Sequence, residues 1–259
     1  MTSTADRATA LRALHADPTL LALVNVWDVA SARVVARTEG TRAIATASHS
    51  IASAHGYEDG EHIPRDLMLE AVGRVVEAVD LPVTADLEAG YGDAADTVRR
   101  AIGLGVVGCN IEDQLKPIAE AAAVVEGVMR AAAGEGVPDF VLNARTDAFL
   151  EADDPSSDDV LADAIARGRA YLDAGAPVVF VPGLVSDEQV VAMVDAFGPQ
   201  RLTLLPVPGC PPLPRLEELG VARVSFGPFP QMVALTALQQ MVEGVGRGES
   251  TPAGTRSLP

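Results

Sequence analysis

The chain has 259 residues, 48% hydrophobic but only 4% aromatic, and its 36 acidic against 19 basic side chains give a formal charge of −17. That length suits one large domain such as an α/β barrel of about 250 residues, and a core so poor in aromatics is built from Ala, Val and Leu, as in helices packed on parallel strands. The acidity argues against nucleic acid, which needs a basic face to neutralise phosphate, and no apolar run approaches the roughly 18 residues of a membrane span.

In chain order, the N-terminal segment lacks a cationic start followed by an apolar stretch and cleavage site. Two cysteines, Cys109 and Cys210, are too few for a disulfide framework. A reduced, cytoplasmic protein is expected. Eight short apolar runs then alternate with segments of helical period, the pattern of parallel βα units. The predicted strands span residues 21–26, 43–48, 82–88, 107–113, 141–147, 177–183, 201–207 and 223–227. Asp28 and Asp93 are placed to cap the helices after the first and third strands, with Gly40 and Gly103 or Gly105 as stops. Eight such pairs predict a closed (β/α)8 barrel in a single domain over residues 1–245, with 246–259 as a flexible C-terminal tail. A doubly wound open sheet is the rival topology.

Three consecutive strands end in polar residues: Asp86 and Glu88, then Glu112 and Asp113, then Asn143, Arg145 and Asp147. In a barrel these ends converge on the face where active sites are built. Asp86, Glu88 and Glu112 would crowd three negative charges into one mouth unless a cation compensates or one acid keeps its proton. An all-oxygen donor set suits Mg2+ or Mn2+ better than zinc. Arg145 supplies a planar fork for a carboxylate or phosphoryl group. Metal and arginine together suit a 2-oxo acid whose reaction passes through an enolate.

The blocks "NVWDVASARVVARTEGTRAIATASHSIASAHGYEDGE", "LPVTADLEAGYGD", "VGCNIEDQ" and "NARTDAF", followed by "AGAPVVFVPG" and "GVARVSFG", resemble the isocitrate lyase/phosphoenolpyruvate mutase superfamily in order over residues 22–230. The resemblance implies a (β/α)8 barrel that binds Mg2+ and a 2-oxo acid or enolpyruvyl substrate, and that makes or breaks C–C or P–C bonds. By matched position it implies that Asp86 is the direct metal ligand, and that Asp59, Glu88 and Glu112 hold metal-bound waters. It implies that Ser48 and His49 meet the substrate's carboxylate or oxo group, and that Arg145 binds substrate. It also implies a homodimer or homotetramer, the apolar segment "PFPQMVALTALQQMVEGV" packing within or between subunits.

The departures bear on the reaction. No Cys-Gly-His loop follows "IEDQ", so isocitrate and methylisocitrate lyase activities are not expected. Ala45 stands where the mutase pattern has tryptophan, Pro182 where relatives have a His or Glu, and Thr203 where many have Asn. The expected activity is cleavage or hydrolysis of a small 2-oxo carboxylate or phosphono acid. The alternative is a 2-oxo acid binding or sensing protein that keeps the metal site without turnover.

Other signals have plainer readings. "GLGVVG" at 103–108 closes a helix and precedes a strand, the reverse of a dinucleotide fingerprint. Cys109 reads as a buried small hydrophobe, Cys210 as a turn residue, and His55 and His62 as members of a polar loop. Tyr91 is placed either to bond substrate or a bound water, or to bury its ring at the barrel edge. Lys116, the sole lysine, follows "IEDQ" as a solvated helix-start residue or an anion contact. Trp27 is expected at the barrel bottom or mouth, and the acidic run 151–159 as a solvated loop and helix start.

Overall fold

The computed structural model describes residues 2–257. Its strands are β1 (Leu21–Leu23), β2 (Asn25–Val26), β3 (Ile44–Thr46), β4 (Val83–Asp86), β5 (Gly108–Glu112), β6 (Val141–Arg145), β7 (Val178–Pro182), β8 (Leu202–Leu205) and β9 (Arg223–Ser225). All pair in parallel with their neighbours. The ninth strand is not an additional βα unit. The run predicted at 21–26 is broken at Val24, so that β1 pairs with β9 while β2 pairs with β3. One strand thereby joins the two sheet edges and closes the (β/α)8 barrel.

Asn25 sits at that changeover and its side chain supplements the ladder. Its Nδ2 donates to the Thr46 carbonyl at 2.8 Å, and its Oδ1 accepts from the Phe226 N–H at 2.7 Å. A buried backbone group without a partner costs about as much as a lost hydrogen bond, so a side-chain amide is an effective stitch where the strand changes neighbours.

Ten helices lie among the described residues: α1 (Thr4–Ala16), α2 (Val29–Ala36), α3 (Ser48–Ala54), α4 (Arg65–Glu77), α5 (Ala94–Gly103), α6 (Ile118–Gly134), α7 (Asp158–Asp173), α8 (Asp187–Phe197), α9 (Leu213–Glu218) and α10 (Phe229–Gly246). Asp28 caps α2 in a reciprocal box with Ser31, and Asp93 accepts from the Asp96 N–H at the start of α5. Ser157, just before the two acids expected at the start of α7, is its N-cap, and Asp158 and Asp159 occupy the first turn, where they complement the helix dipole. Residues 247–257 follow α10, and the rest of the expected tail, 258 and 259, lies outside the described residues.

Side chains alternate along each strand. Ala85, Cys109, Leu142, Val179, Leu204 and Val224 are buried against the helices; a fully buried Val or Leu of this kind contributes about 1.5–3 kcal/mol. The alternate positions face the barrel axis and carry Asp86, Asn110, Glu112, Asn143, Arg145, Thr203 and Ser225. Below the mouth, Thr203 Oγ1 donates to Asn143 Oδ1 at 2.6 Å and Asn143 Nδ2 donates to Asn110 Oδ1 at 2.8 Å. The hydrophobic layer is therefore outside the sheet, and the polar residues belong to its interior.

Two expectations are refined here. Trp27 lies at neither barrel end: it is half-buried in a groove with Val29, Ala54 and Leu67, between α2, α3 and α4. Within "GLGVVG", Gly103 ends α5 and Gly105 turns the chain at φ +95°, while Gly108 lets β5 approach β6 and α1, since a Cβ there would stand 2.8 Å from the Val141 carbonyl and 2.9 Å from Leu11 Cδ2.

Candidate active site

At the C-terminal ends of the strands a cleft encloses ≈ 870 Å³ of free space, open solvent at its mouth included. Ser48, His49, Asp59, Asp86 and Arg145 all line it. Five of the eight expected site residues therefore converge on one cavity, although they come from three different βα units.

Asp86 is the last residue of β4. Its Oδ2 accepts from the Ser48 N–H at 3.1 Å and from the Ser48 hydroxyl at 2.9 Å, while the Asp86 N–H donates to Thr46 Oγ1 at 3.0 Å. Ser48 and His49 form the first turn of the seven-residue α3, whose N-cap Ala47 offers no side-chain acceptor. The Asp86 carboxylate fills that role from the neighbouring strand. Its other oxygen, Oδ1, is buried and has no hydrogen-bond partner. A buried carboxylate oxygen without a donor is costly, and its lone pairs are available to a cation.

Of Glu88, Tyr91 and Asp59, only Asp59 lines the cleft; Glu88 and Tyr91 lie in the turn after β4. Glu88 is buried and holds φ +53°, Tyr91 φ +56° and the intervening Gly90 φ +94°, so the turn after β4 is left-handed at two non-glycine positions. Hydrogen bonds hold it: the Tyr91 hydroxyl donates to Glu88 Oε1 at 2.7 Å, and the Glu61 N–H donates to Glu88 Oε2. Burial pushes the Glu88 carboxyl above the usual range, against the lowering effect of these donors, with the charges of Asp59 and Asp86 adding to the rise. Asp59 lies 3.3 Å from the Ser48 hydroxyl, and its Oδ2 is 3.6 Å from His49 Nδ1. His55 and His62 bond their own loop's carbonyls, of Ile51 and Asp59, and stay out of the cleft.

Glu112 and Arg145 stand opposite each other on β5 and β6. Arg145 Nη1 is 2.9 Å from Glu112 Oε2, and its Nε donates to Asp147 Oδ1 at 2.7 Å. Burial pushes the Glu112 carboxyl up to about 8; Arg145 opposes this, and Asp147, Asp86 and Glu88 reinforce it. Burial disfavours the Arg145 charge, yet Asp147 and Glu112 outweigh it and hold the guanidinium above its ordinary value. The strand ends thus gather carboxylates around one arginine, and burial raises the carboxyls of Glu112, Glu88 and Asp147 above their ordinary range.

Asp113, next to Glu112 in sequence, turns away from the cleft. Its Oδ2 accepts from the Tyr171 hydroxyl at 2.5 Å and from Arg167 Nη1 at 3.1 Å, and its Oδ1 from the Leu115 and Asp147 N–H groups. Asp113 and Asp147 together hold the turn 114–115, whose two residues are left-handed at φ +49° and +52°. Lys116 is exposed there, and its carbonyl accepts from Arg167 Nη1. Cys109 is wholly buried, which drives its thiol pKa up, and Cys210 is a half-buried turn residue.

The rest of the cleft comes from residues that sequence reading passed over: Asn25, Asn110 and Ser225 below, and Leu150, Phe180, Leu205, Val207 and Phe229 on the far side. A polar residue inside an otherwise apolar strand, as in "LALVNV" and "VGCNIED", is the signal that marks Asn25 and Asn110.

The sequence profile of the phosphoenolpyruvate phosphomutase family matches residues 11–246. The chain belongs to this family, within the isocitrate lyase/phosphoenolpyruvate mutase superfamily. A crystal structure from Burkholderia cenocepacia J2315, described there only provisionally as a phosphonomutase, is 42% identical and superposes with a TM-score of 0.87 over 93% of this chain and 99% of that one. An oxaloacetate decarboxylase of Bradyrhizobium sp. is 31% identical over 74% of this chain and 68% of its own length. The structure of an oxaloacetate acetylhydrolase holding the inhibitor 3,3-difluorooxalacetate is 25% identical, with a TM-score of 0.85 over 99% of this chain and 92% of that one.

The chain is accordingly an enzyme of the phosphoenolpyruvate mutase superfamily, whose members are C–C and P–C lyases and mutases. Superfamily members generally use Mg2+, and the residues here fit such an ion. The donors are all oxygen, and Asp86 Oδ1 is buried without a partner. Among the described residues no three His, Cys, Asp or Glu side chains are grouped so as to hold an ion between them, which is compatible with one direct ligand and water-mediated support from the others.

Proposed function

We propose that this family member is a Mg2+-dependent lyase or hydrolase, able to use Mn2+, that cleaves a C–C or P–C bond in a small 2-oxo carboxylate or phosphono acid through an enolate. The observation that carries the reading is the pairing, across one cleft, of an unpartnered buried Asp86 oxygen with the Arg145 guanidinium. Asp86 would hold the ion directly, and Glu88, Glu112 and Asp59 through water. When bound, the ion supplies Lewis-acid stabilisation of the negative charge that develops on the 2-oxo oxygen.

The protein's own groups do the rest. Arg145, fixed by Glu112 and Asp147, presents its fork to the substrate carboxylate. Ser48 holds the Asp86 carboxylate at the start of α3 through its N–H and hydroxyl, and would orient the substrate's carboxylate or oxo group by redirecting the hydroxyl proton. His49 faces Asp59 through Nδ1, leaving Nε2 as the ring atom able to exchange a proton at the mouth. Tyr91 keeps Glu88 in place. Pro182 lines the cleft where relatives place an ionisable side chain, so the proton comes from His49 or from water. These roles also fit isocitrate and methylisocitrate lyase chemistry poorly, because the turn 113–117 carries neither Cys nor His.

The experiment is turnover of a panel of 2-oxo acids and phosphonates, with pyruvate or oxalate release as readout. The expected result is Mg2+-dependent release, abolished by chelation and restored by Mg2+ or Mn2+. Turnover indifferent to chelation would refute the metal-dependent reading.

Partner and location belong to the same proposal. Helix α10 exposes Val233, Leu235, Leu238, Val242 and Val245, an apolar surface suited to burial in a homodimer or homotetramer. No helix among the described residues is long and apolar enough to cross a membrane, and the low cysteine content fits a reducing cytoplasm.

A further inference from the structure

Resting on the 2-oxo carboxylate reading above and narrowing it to C–C cleavage, we infer that the substrate carries no second anionic group: beyond its 2-oxo carboxylate it presents an uncharged alkyl or aryl arm to the β7–β9 side of the cleft. The cleft is divided by chemistry. Its β2–β6 side is polar, with Ser48, Asp86, Asn110 and Arg145; its β7–β9 side carries one polar side chain, Ser225 at the end of β9, and is otherwise formed by Phe180, Pro182, Leu205, Val207 and Phe229, with Leu150 beside them.

Arg145 is the single Arg or Lys among the lining residues. Its charge is already engaged by Glu112 at 2.9 Å and Asp147 at 2.7 Å, and His49 lies beside Asp59 on the polar side. A second carboxylate, or a phosphonate at the distal end, would lie against hydrocarbon with no cation to meet it. Asp59, Asp86 and the −17 net charge would add repulsion. An apolar arm gains from the same wall at roughly 25 cal/mol per Å² buried.

The wall is part of the fold. Phe180 and Pro182 are buried on β7, and Leu205 ends β8. Leu205 Cδ1 lies 2.8 Å from where a Cβ on Gly227 would stand, so the glycine at φ +51° admits the leucine against the turn after β9. The arm's pocket is in place before any ligand arrives.

The test uses isothermal titration calorimetry with Mg2+ and three probes: oxalate, 2-oxoglutarate, and 5-methyl-2-oxohexanoate, in which an isopropyl group replaces the distal carboxylate of 2-oxoglutarate. Wild type is expected to bind oxalate, and to bind 5-methyl-2-oxohexanoate about tenfold or more tighter than 2-oxoglutarate. Leu205→Arg, or Val207→Arg should the first variant not fold, is expected to reverse that order. If oxalate binds but 2-oxoglutarate matches or exceeds its apolar counterpart, this inference falls and the 2-oxo carboxylate reading stands. A preference that survives in the folded arginine variant overturns the assignment to this wall. Failure of oxalate to bind removes the functional reading and this inference with it.

Discussion

Ser48 gives both its N–H and its hydroxyl to one oxygen of Asp86, at 3.1 and 2.9 Å, and leaves the other Asp86 oxygen buried and unpartnered. This asymmetry orients the carboxylate: one oxygen is tied to α3 and the other faces the cleft. Asp86→Asn retains a group of the same shape and loses the charge. The expected outcome is loss of the rise in Tm that Mg2+ gives the wild type, with turnover reduced by more than about 10²-fold and the circular dichroism spectrum unchanged. Mg2+ titrations of both proteins followed by thermal unfolding provide the measurement. An Asn variant that still gains Tm with Mg2+ and turns over normally would remove Asp86 from the metal site.

Glu112 makes stability depend on pH. Its carboxyl rises from 4.5 to about 8 in the folded protein, first through burial and then through Asp147, Asp86 and Glu88. The folded state therefore keeps a proton that the unfolded chain releases. The stabilisation is complete below about pH 4.5 and is lost as pH rises through 8. Glu88 and Asp147 shift in the same direction, also through burial. In the presence of a chelator, urea unfolding should show stability falling between pH 5 and 8, by an amount on the order of a few kcal/mol. Glu112→Gln, which is neutral throughout, should flatten a substantial part of that slope. Mg2+ should restore more stability at pH 8 than at pH 5, because it binds the ionised carboxylates. A Gln variant with the wild-type slope would show that Glu112 is ionised throughout.

Tyr171 and Asp113 form a contact that supports the site from outside it. The Tyr171 hydroxyl donates to Asp113 Oδ2, and Asp113 Oδ1 accepts from the N–H of Asp147, the residue that anchors Arg145. Tyr171→Phe leaves a buried carboxylate short of one donor, a loss of about 1–3 kcal/mol, or several degrees in Tm for a chain of this size. Because three hydrogen bonds link Tyr171 to Arg145 through Asp113 and Asp147, KM for the carboxylate substrate should rise while Mg2+ affinity stays the same. Thermal unfolding with steady-state kinetics checks both, and an unchanged Tm would mean that Arg167 alone satisfies Asp113.

What the sequence disclosed and what it withheld follow from one physical distinction. Asp86 and Arg145 could be read as cleft residues because ionisable groups at the ends of apolar strands need a partner or a site, and barrel topology brings strand ends together; Glu88 and Glu112 showed the same pattern but do not line the cleft. Glu112 and Asp113 look equivalent as neighbours, yet they face different partners, and the Arg167 and Tyr171 that hold Asp113 lie on α7, 54 and 58 residues later, with no periodicity linking them. Asn25 was passed over although it is polar in an apolar run, and its bonds to Thr46 and Phe226 depend on where the barrel closes. The apolar wall was invisible because Phe180, Leu205 and Phe229 resemble core residues in every local respect. Cleft and core share one composition, and only the three-dimensional path of the chain separates them.

Gly108 and Gly127 test whether the glycines serve packing. A Cβ on Gly108 would stand 2.8 Å from the Val141 carbonyl, 2.9 Å from Leu11 Cδ2 and 3.2 Å from Thr84 Oγ1. The leucine side chain could yield, but the carbonyl belongs to the neighbouring strand and moving it disturbs the β5–β6 ladder that sets Glu112 opposite Arg145. Gly108→Ala should therefore cost about 1–3 kcal/mol and lower turnover, although residue 108 is buried well below the mouth. Gly127, within α6, has nothing within 4 Å of its added Cβ and ordinary helical backbone. Gly127→Ala should stabilise by about 0.5–1 kcal/mol through helix propensity, with turnover unchanged. Urea unfolding of the two alanine variants beside wild type decides the matter: opposite signs support close strand approach as the reason for Gly108, whereas a neutral Gly108→Ala would show that β5 and β6 can separate without loss.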